Sequence, residues 1–337
     1  MSNRRDVRRR FEIDDHESYA RPARRTRART KRRPAHTEAV SALVVAIDRG
    51  RYTCLVGADR GTSVTVTAVR SRSLGRKSIV VGDRVRLVGD VSGAEGTLAR
   101  IVTVETRDTV LRRTADDDDP VERVVVANAD QMVIVTALTD PPPRPRLIDR
   151  CLAAAYEAGI DPLLCLTKAD LARPDELLAT YRPLGVASVV TSLDGGRAEL
   201  AAQLTDRASV LVGHSGVGKS TLVNALVPGA SQQTAEVSEV TGRGRHTSTR
   251  AVMLPLPAGG WIVDTPGVRS FGLAHVSADD LIHAFADLAE IAEGCPRRCG
   301  HGRDEPECAL DDAVTDGRID PARVESYRRL LESRASE

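Results

Sequence analysis

The sequence predicts a multidomain protein: an N-terminal β-barrel of the OB-fold kind, a central α/β domain with a parallel sheet, and a C-terminal, mostly helical unit. Three observations carry this. Short β-rich runs punctuated by Gly and Asp fill residues 36–107, apolar runs alternate with helical stretches over 108–275, and helical text surrounds a Cys/His cluster over 276–337. At 337 residues the chain is about twice a typical domain, so several units are expected. Aromatic residues make up 3% of the chain and hydrophobic residues 41%, so Val, Leu, Ile and Ala must fill the interior.

Residues 1–35 carry thirteen Lys and Arg against five acids, a net +8 within an overall charge of +1, so the remainder carries −7. With few apolar residues and several prolines this stretch cannot bury enough surface to fold alone, and it reads as a disordered basic arm. Such an arm suits nucleic-acid phosphates, whose counterions it releases, or it is a solvated tail with no partner. It is charged from Arg4 onward and has no apolar segment of a secretory signal. No run approaches the roughly eighteen apolar residues needed to cross a bilayer. A cytoplasmic protein without a membrane partner is expected, as a monomer.

Five runs read as barrel strands: Ala39–Ile47, Tyr52–Val56, Ser63–Val69, Arg84–Val88 and Gly96–Val104. Turn signals at Asp48-Arg49-Gly50, Asp59-Arg60-Gly61, Val81-Gly82-Asp83 and Ser92-Gly93 separate them, which suits a small OB-fold, either RNA-binding or structural. Asp116-Asp117-Asp118-Asp119-Pro120 marks a boundary or loop, a solvated acidic run with no metal assigned. Beyond it, Met132–Ala137, Leu163–Leu166, Ala187–Val190, Ser209–Val212, Val252–Leu256 and Trp261–Val263 read as strands. Leu147–Ala158, Pro174–Arg182, Ala198–Leu204 and Lys219–Leu226 read as the helices between them. This alternation implies a parallel sheet covered on both faces. Helical text resumes near Ser277 and closes with Pro321–Arg334.

The most informative motif is Gly213-His214-Ser215-Gly216-Val217-Gly218-Lys219-Ser220-Thr221, which matches G-x-x-x-x-G-K-[ST] on a strand-to-helix turn. Its glycines let successive N–H groups face phosphate oxygens, and the helix N-terminus adds partial positive charge. Lys219 is expected to reach the β and γ phosphates and Ser220 to offer its hydroxyl to Mg²⁺. Downstream, the strand Trp261–Val263 runs into Asp264-Thr265-Pro266-Gly267. Here Asp264 can hold Mg²⁺ through water and the Gly267 N–H can bond the γ-phosphate. Val268 follows where a water-orienting Gln often stands, and an aliphatic side chain cannot orient water. Gly242-Arg243-Gly244-Arg245-His246-Thr247-Ser248-Thr249 occupies the place of a first switch. His246 is the candidate for positioning water, Thr247 or Thr249 for ligating Mg²⁺, and Arg243 or Arg245 for neutralising charge.

The base reader comes before the phosphate loop rather than after it. Thr167-Lys168-Ala169-Asp170 is close to N-K-x-D, and the Asp170 carboxylate can accept from the guanine N1–H and exocyclic amine. Adenine would leave that carboxylate unpaired. Lys168 would lie along the base, and Thr191-Ser192-Leu193 could supply a backbone N–H to the guanine oxygen. Thr167 stands where the signature has Asn, whose amide holds the loops together, so weaker nucleotide affinity is expected while Asp170 preserves base choice. Cys295, Cys299, His301 and Cys308 form C-x₃-C-x-H-x₆-C, a closed tetrahedral donor set for one structural Zn²⁺, with Arg297, Arg298 and Arg303 giving a basic surface. Cys54, Cys151 and Cys165 lie in apolar runs and read as core.

In this order, T-K-A-D, T-S-L, G-H-S-G-V-G-K-S-T, G-R-G-R-H-T-S-T, D-T-P-G and C-x₃-C-x-H-x₆-C together resemble the RsgA (YjeQ) family of circularly permuted ribosome-biogenesis GTPases. The likeness runs from about Glu38 to the C-terminus. The resemblance implies an OB-fold, a circularly permuted P-loop GTPase domain and a zinc-binding domain. It also implies GTP hydrolysis stimulated by the small ribosomal subunit and its rRNA during late maturation, with His246 in the segment implicated in hydrolysis. This chain departs at Thr167 and at the first cysteine spacing, three residues where four are more familiar. The competing readings are another P-loop NTPase and a nucleotide-regulated RNA-binding protein.

Overall fold

The computed structural model describes residues 37–58, 63–75, 78–114, 122–230, 251–265 and 277–335. The basic arm and the acidic run Asp116–Asp119 fall outside them. The five barrel strands form where the alternating pattern placed them: β1 (Val40–Asp48), β2 (Arg51–Val56), β3 (Val64–Arg70), β4 (Arg84–Gly89) and β5 (Ala99–Val104). They hydrogen-bond in the order β1-β2-β3-β5-β4, and β4 returns to pair with β1, closing the barrel. Closure removes the free edges that a small sheet would otherwise expose. The inward positions Val44, Cys54, Val66, Val85, Leu87 and Ile101 are fully buried and make its core.

A hairpin that the sequence pattern did not reveal follows, β6 (Val110–Thr114) with β7 (Glu122–Ala127), in a separate two-stranded sheet. Its strands are short, and the Arg112-Arg113 pair within β6 hides the period-2 signal. The neighbouring Arg107 guanidinium is buried but donates to both carboxylate oxygens of Asp83, at 2.7 and 2.9 Å. Two-point pairing is what makes such a buried charge tolerable.

The central sheet contains β8 (Gln131–Ala137), β9 (Asp161–Thr167), β10 (Ala187–Val190), β11 (Ala208–Val212), β12 (Val252–Pro255) and β13 (Trp261–Asp264). The order is β10-β9-β8-β11-β13-β12, parallel throughout except for the β12–β13 pair. Every residue of β8 is buried, and its side chains alternate between two cores: Met132 and Ile134 into one, Val133 and Val135 into the other. Helix α1 (Pro145–Glu157) packs in the first core, with Tyr181 at the end of α2 (Asp175–Tyr181); α3 (Arg197–Leu204) and α4 (Lys219–Leu226) pack in the second. Just beyond a bulge in β1, Ala46 pairs with Val252 of β12, so backbone hydrogen bonding joins barrel and central sheet.

Four helices complete the described chain: α5 (Ala278–Ile282), α6 (Ala286–Ala292), α7 (Ala309–Thr315) and α8 (Pro321–Ala335). The scarce aromatics concentrate where these helices meet α1. Phe285 stands edge-on to Tyr156 at 4.8 Å and to Tyr327 at 5.8 Å. Such pairs are worth about 0.5–1.5 kcal/mol beyond the area they bury. Beside them Arg329 of α8 donates to the buried carboxylate of Asp149 on α1 and lies 5.1 Å above the Tyr181 ring. No helix among the described residues is long and apolar enough to cross a membrane.

Candidate functional site

The phosphate loop takes its shape from two glycines that no other residue replaces easily. Gly213 has φ 146° and a Cβ there would lie 2.3 Å from the Val135 carbonyl oxygen; Gly218, the cap of α4, has φ 98°. Lys219 opens α4, and its Nζ donates to the carbonyls of Gly213 and His214, which lays the ammonium across the loop. Burial lowers the Lys219 pKa, while the Asp264 carboxylate opposes that shift. Asp264 sits beside it because β11 and β13 run parallel with Leu211 opposite Asp264. Burial raises the Asp264 carboxyl and Lys219 draws it back. The Thr265 hydroxyl, buried, donates to the Leu211 carbonyl at 3.0 Å and pins the end of β13.

Ser215, Gly216, Ser220 and Thr221 face solvent at the loop and the first turn of α4, whereas Val217 and His214 point inward. A carbonyl can only accept, so the His214 Nδ1, 3.0 Å from the Ser215 oxygen, carries the ring proton. Burial lowers the His214 pKa against the hydrogen bond to Ser215, and Arg144 and Lys219 add to the lowering.

The base loop is tied to the phosphate loop by the residue that departs from the signature. Thr167 is 5% exposed, and its hydroxyl donates to the Val217 carbonyl at 2.7 Å. The hydroxyl therefore supplies the loop-to-loop link expected of Asn. Lys168, at φ 62°, turns its Nζ onto the Asp140 carbonyl. The Thr191 segment locks onto the same loop: Thr191 N–H donates to Leu166, and Ala169 N–H donates to Thr191 at 3.2 Å. Ser192 N–H donates to Gly195, which leaves Leu193 N–H, 3.3 Å from Asp170 Oδ1, as the loosest donor beside the exposed Asp170 carboxylate.

A third segment beside these two loops was not legible in the motifs. The turn after β8 contributes Asp140, whose carbonyl holds Lys168, and Pro141, whose ring would lie 3.4 Å from a Cβ at Gly216. The proline-rich run Pro141-Pro142-Pro143 was its only signal. The arrangement suits an anion against loop N–H groups and Lys219 and a hydrogen-bonding base edge against Asp170. His246, Thr247 and Gly267 lie outside the described residues, as do Arg243, Arg245 and Val268.

The second cluster assembles as its spacing implied. One ligand atom from each of Cys295, Cys299, His301 and Cys308 lies within 4.8 Å of the others. Cys295 Sγ is 3.5 Å from His301 Nδ1 and 4.0 Å from Cys308 Sγ, near the roughly 3.8 Å edge of a tetrahedron with metal–sulfur arms of about 2.3 Å. The Ala309 N–H donates to Cys295 Sγ at 3.3 Å. Burial lowers the His301 pKa, keeping the neutral ring a metal ligand requires, and pushes the Cys299 thiol up to about 12. Burial also raises the Cys295 thiol, and a cation among the donors favours the thiolates of such buried sulfurs, so the donor set fits a metal ion. The other cysteines, Cys54, Cys151 and Cys165, are buried in cores, where burial raises each thiol to about 12.

Residues 104–274 match the RsgA GTPase family. A protein named small ribosomal subunit biogenesis GTPase RsgA from Pseudomonas aeruginosa is 48% identical over 218 residues, covering 62% of this chain and 64% of that one. The chain thus spans just under two thirds of the length of that relative. Small ribosomal subunit biogenesis GTPase RsgA 1 of Vibrio vulnificus is 41% identical over 270 residues, 77% of this chain and 76% of its own. The Chlorobaculum parvum protein of the same family name is 40% identical over 279 residues, 80% and 89%. Among solved structures, YjeQ from Thermotoga maritima superposes with a TM-score of 0.66 at 27% identity, covering 89% of this chain and 99% of that one. YloQ, a circularly permuted GTPase, does so at 0.64 and 22% identity, covering 90% and 98%, which supports the fold alone.

Proposed function

The chain belongs to the RsgA GTPase family, and on that premise we propose that it hydrolyses GTP during late maturation of the small ribosomal subunit, binding the subunit in the GTP state and leaving it after hydrolysis. The observation that carries the reading is that the phosphate loop, with Lys219 and the nearby Asp264 carboxylate, is bonded through Val217 to Thr167, which opens the loop carrying Asp170.

In this reading the N–H groups of Gly213 to Thr221 and the Lys219 ammonium bind the phosphates, while Asp170, Lys168, Thr191 and Ser192 recognise guanine. Ser220, Asp264 and Thr247 would hold Mg²⁺, which would supply charge neutralisation at the phosphates. Gly267 senses the γ-phosphate, and His246 positions the attacking water in place of the Gln that Val268 displaces. Cys295, Cys299, His301 and Cys308 hold one structural Zn²⁺, with no ligand position left for substrate. The units are a basic arm at 1–35, a barrel at 36–107, the permuted GTPase domain at 108–275 and the zinc domain at 276–337. Because of the permutation, the Asp264–Gly267 loop is followed within about ten residues by the metal-binding unit, so a shift on loss of the γ-phosphate passes along the chain to the surface that meets rRNA. The protein acts in the cytoplasm as a monomer.

The test is the GTPase rate of wild type and His246→Ala, each with and without purified small subunits, with ATP as a control. Stimulation of wild type with GTP alone is expected, and none of His246→Ala. Absence of stimulation refutes the ribosomal role, and full stimulation of His246→Ala refutes the role of that histidine.

A further inference from the structure

The metal-binding loop is tied to helix α8 by two arginines of very different character. Arg303, within the loop, reaches Glu325 and Glu332 on α8, but all three side chains are about half exposed. Exposed pairs are screened by water and salt and contribute little. Arg328 runs the other way, from α8 into the loop, and is 9% exposed. Its Nε donates to the His301 carbonyl at 3.1 Å, while Nη1 and Nη2 donate to the two oxygens of Asp311, both at 2.8 Å.

These partners belong to two different ligands. His301 sits at φ 57°, a left-handed conformation in which a non-glycine residue is strained unless its surroundings hold it. Asp311 lies in the first turn of α7, whose cap residue is Cys308. One planar guanidinium therefore grips the backbone of one ligand and the helix that begins at another, and their donor atoms stand 4.0 Å apart. A lysine ammonium in the same place cannot fork onto three acceptors in a plane.

We propose that Arg328 is the positioning residue of this metal site: it holds His301 and Cys308 at the separation a tetrahedral ion requires, anchored by Asp311. This rests on the reading that the four-residue cluster binds zinc. Outer groups of this kind commonly govern metal retention by about 10–100-fold.

The adjacent residue provides an internal control. Arg329 leaves the same helix toward Asp149 on α1 and the Tyr181 ring, and among the described residues it forms no hydrogen bond or ion pair with the metal loop. Full-length wild type, Arg328→Lys, Arg329→Gln and Arg303→Gln are loaded with zinc, their content is measured, and release to a chromophoric chelator is timed; circular dichroism and binding of a fluorescent GDP analogue check folding. Arg328→Lys is expected to release zinc at least about tenfold faster, with Arg329→Gln and Arg303→Gln within about twofold of wild type. Asp311→Asn, which loosens the anchor but leaves the guanidinium, should fall between. Equal release from wild type and Arg328→Lys overturns the inference, and so does equally fast release from Arg329→Gln, which would mean that loosening α8 suffices. Wild type that takes up no zinc refutes the metal reading itself, a result distinct from either.

Discussion

Replacing Thr167 by Val removes one hydroxyl at nearly constant shape and tests whether the base and phosphate loops are held together as the structure shows. The hydroxyl has one proton and two nearby acceptors, Val217 O at 2.7 Å and Thr136 O at 3.4 Å, so the proton belongs to the first. Thr167 and Val217 are both buried, so water cannot take over the abandoned carbonyl. An acceptor left unpaired in this way costs about 1–3 kcal/mol. In the proposed reading the two loops grip opposite ends of one ligand, so the loss should appear chiefly in binding, as about 5- to 150-fold weaker affinity. Titration with a fluorescent GDP analogue measures it, and Thr167→Ser, which keeps the donor, should stay close to wild type. If Thr167→Val binds as tightly as wild type, or Thr167→Ser is as weak as Thr167→Val, the proposed link is wrong.

Gly213→Ala should abolish nucleotide binding, because its Cβ would press to 2.3 Å from the Val135 oxygen at φ 146°; calorimetric titration with GDP detects the loss. Asp170→Asn should weaken GTP binding by tenfold or more, since each charge-assisted bond to guanine is worth about 1.5–3 kcal/mol, while ATP binding stays as poor as before; competition binding reads both. Arg329→Leu leaves the Asp149 carboxylate buried without its partner, a loss of about 3–5 kcal/mol for a fully buried pair and less here because Arg329 is partly exposed. Burial already raises the Asp149 pKa against the pull of Arg329. A carboxyl with a raised folded pKa adds stability below its unfolded value and loses it as pH rises through the folded value. The melting deficit of Arg329→Leu should therefore be largest at neutral pH and shrink on acidification, and a pH-independent deficit would contradict this origin.

Much of the site was legible because it is local. A strand followed by G-x-x-x-x-G-K-[ST] dictates the phosphate loop, since the glycines and helix N-terminus act within nine consecutive residues. The four metal ligands fall within fourteen residues, and they meet. The β6–β7 hairpin stayed hidden because its strands are short and charged. In sequence Thr167 looks like a weakness, because only the contact to Val217, fifty residues away, shows that the hydroxyl replaces the amide.

The sequence by itself determined the order of units, the strands and helices of the central sheet, the phosphate loop and the metal donor set, because each depends on residue types at short spacing that obey fixed backbone geometry. Only the tertiary structure decided the partners: Lys168 with Asp140, Arg328 with His301 and Asp311, and Arg329 with Asp149, 180 residues apart. The reason is physical. Local pattern sets which groups a segment can offer, but a buried charge or hydroxyl is satisfied by whatever the packing of distant segments brings within about 3 Å, and no local pattern carries that information.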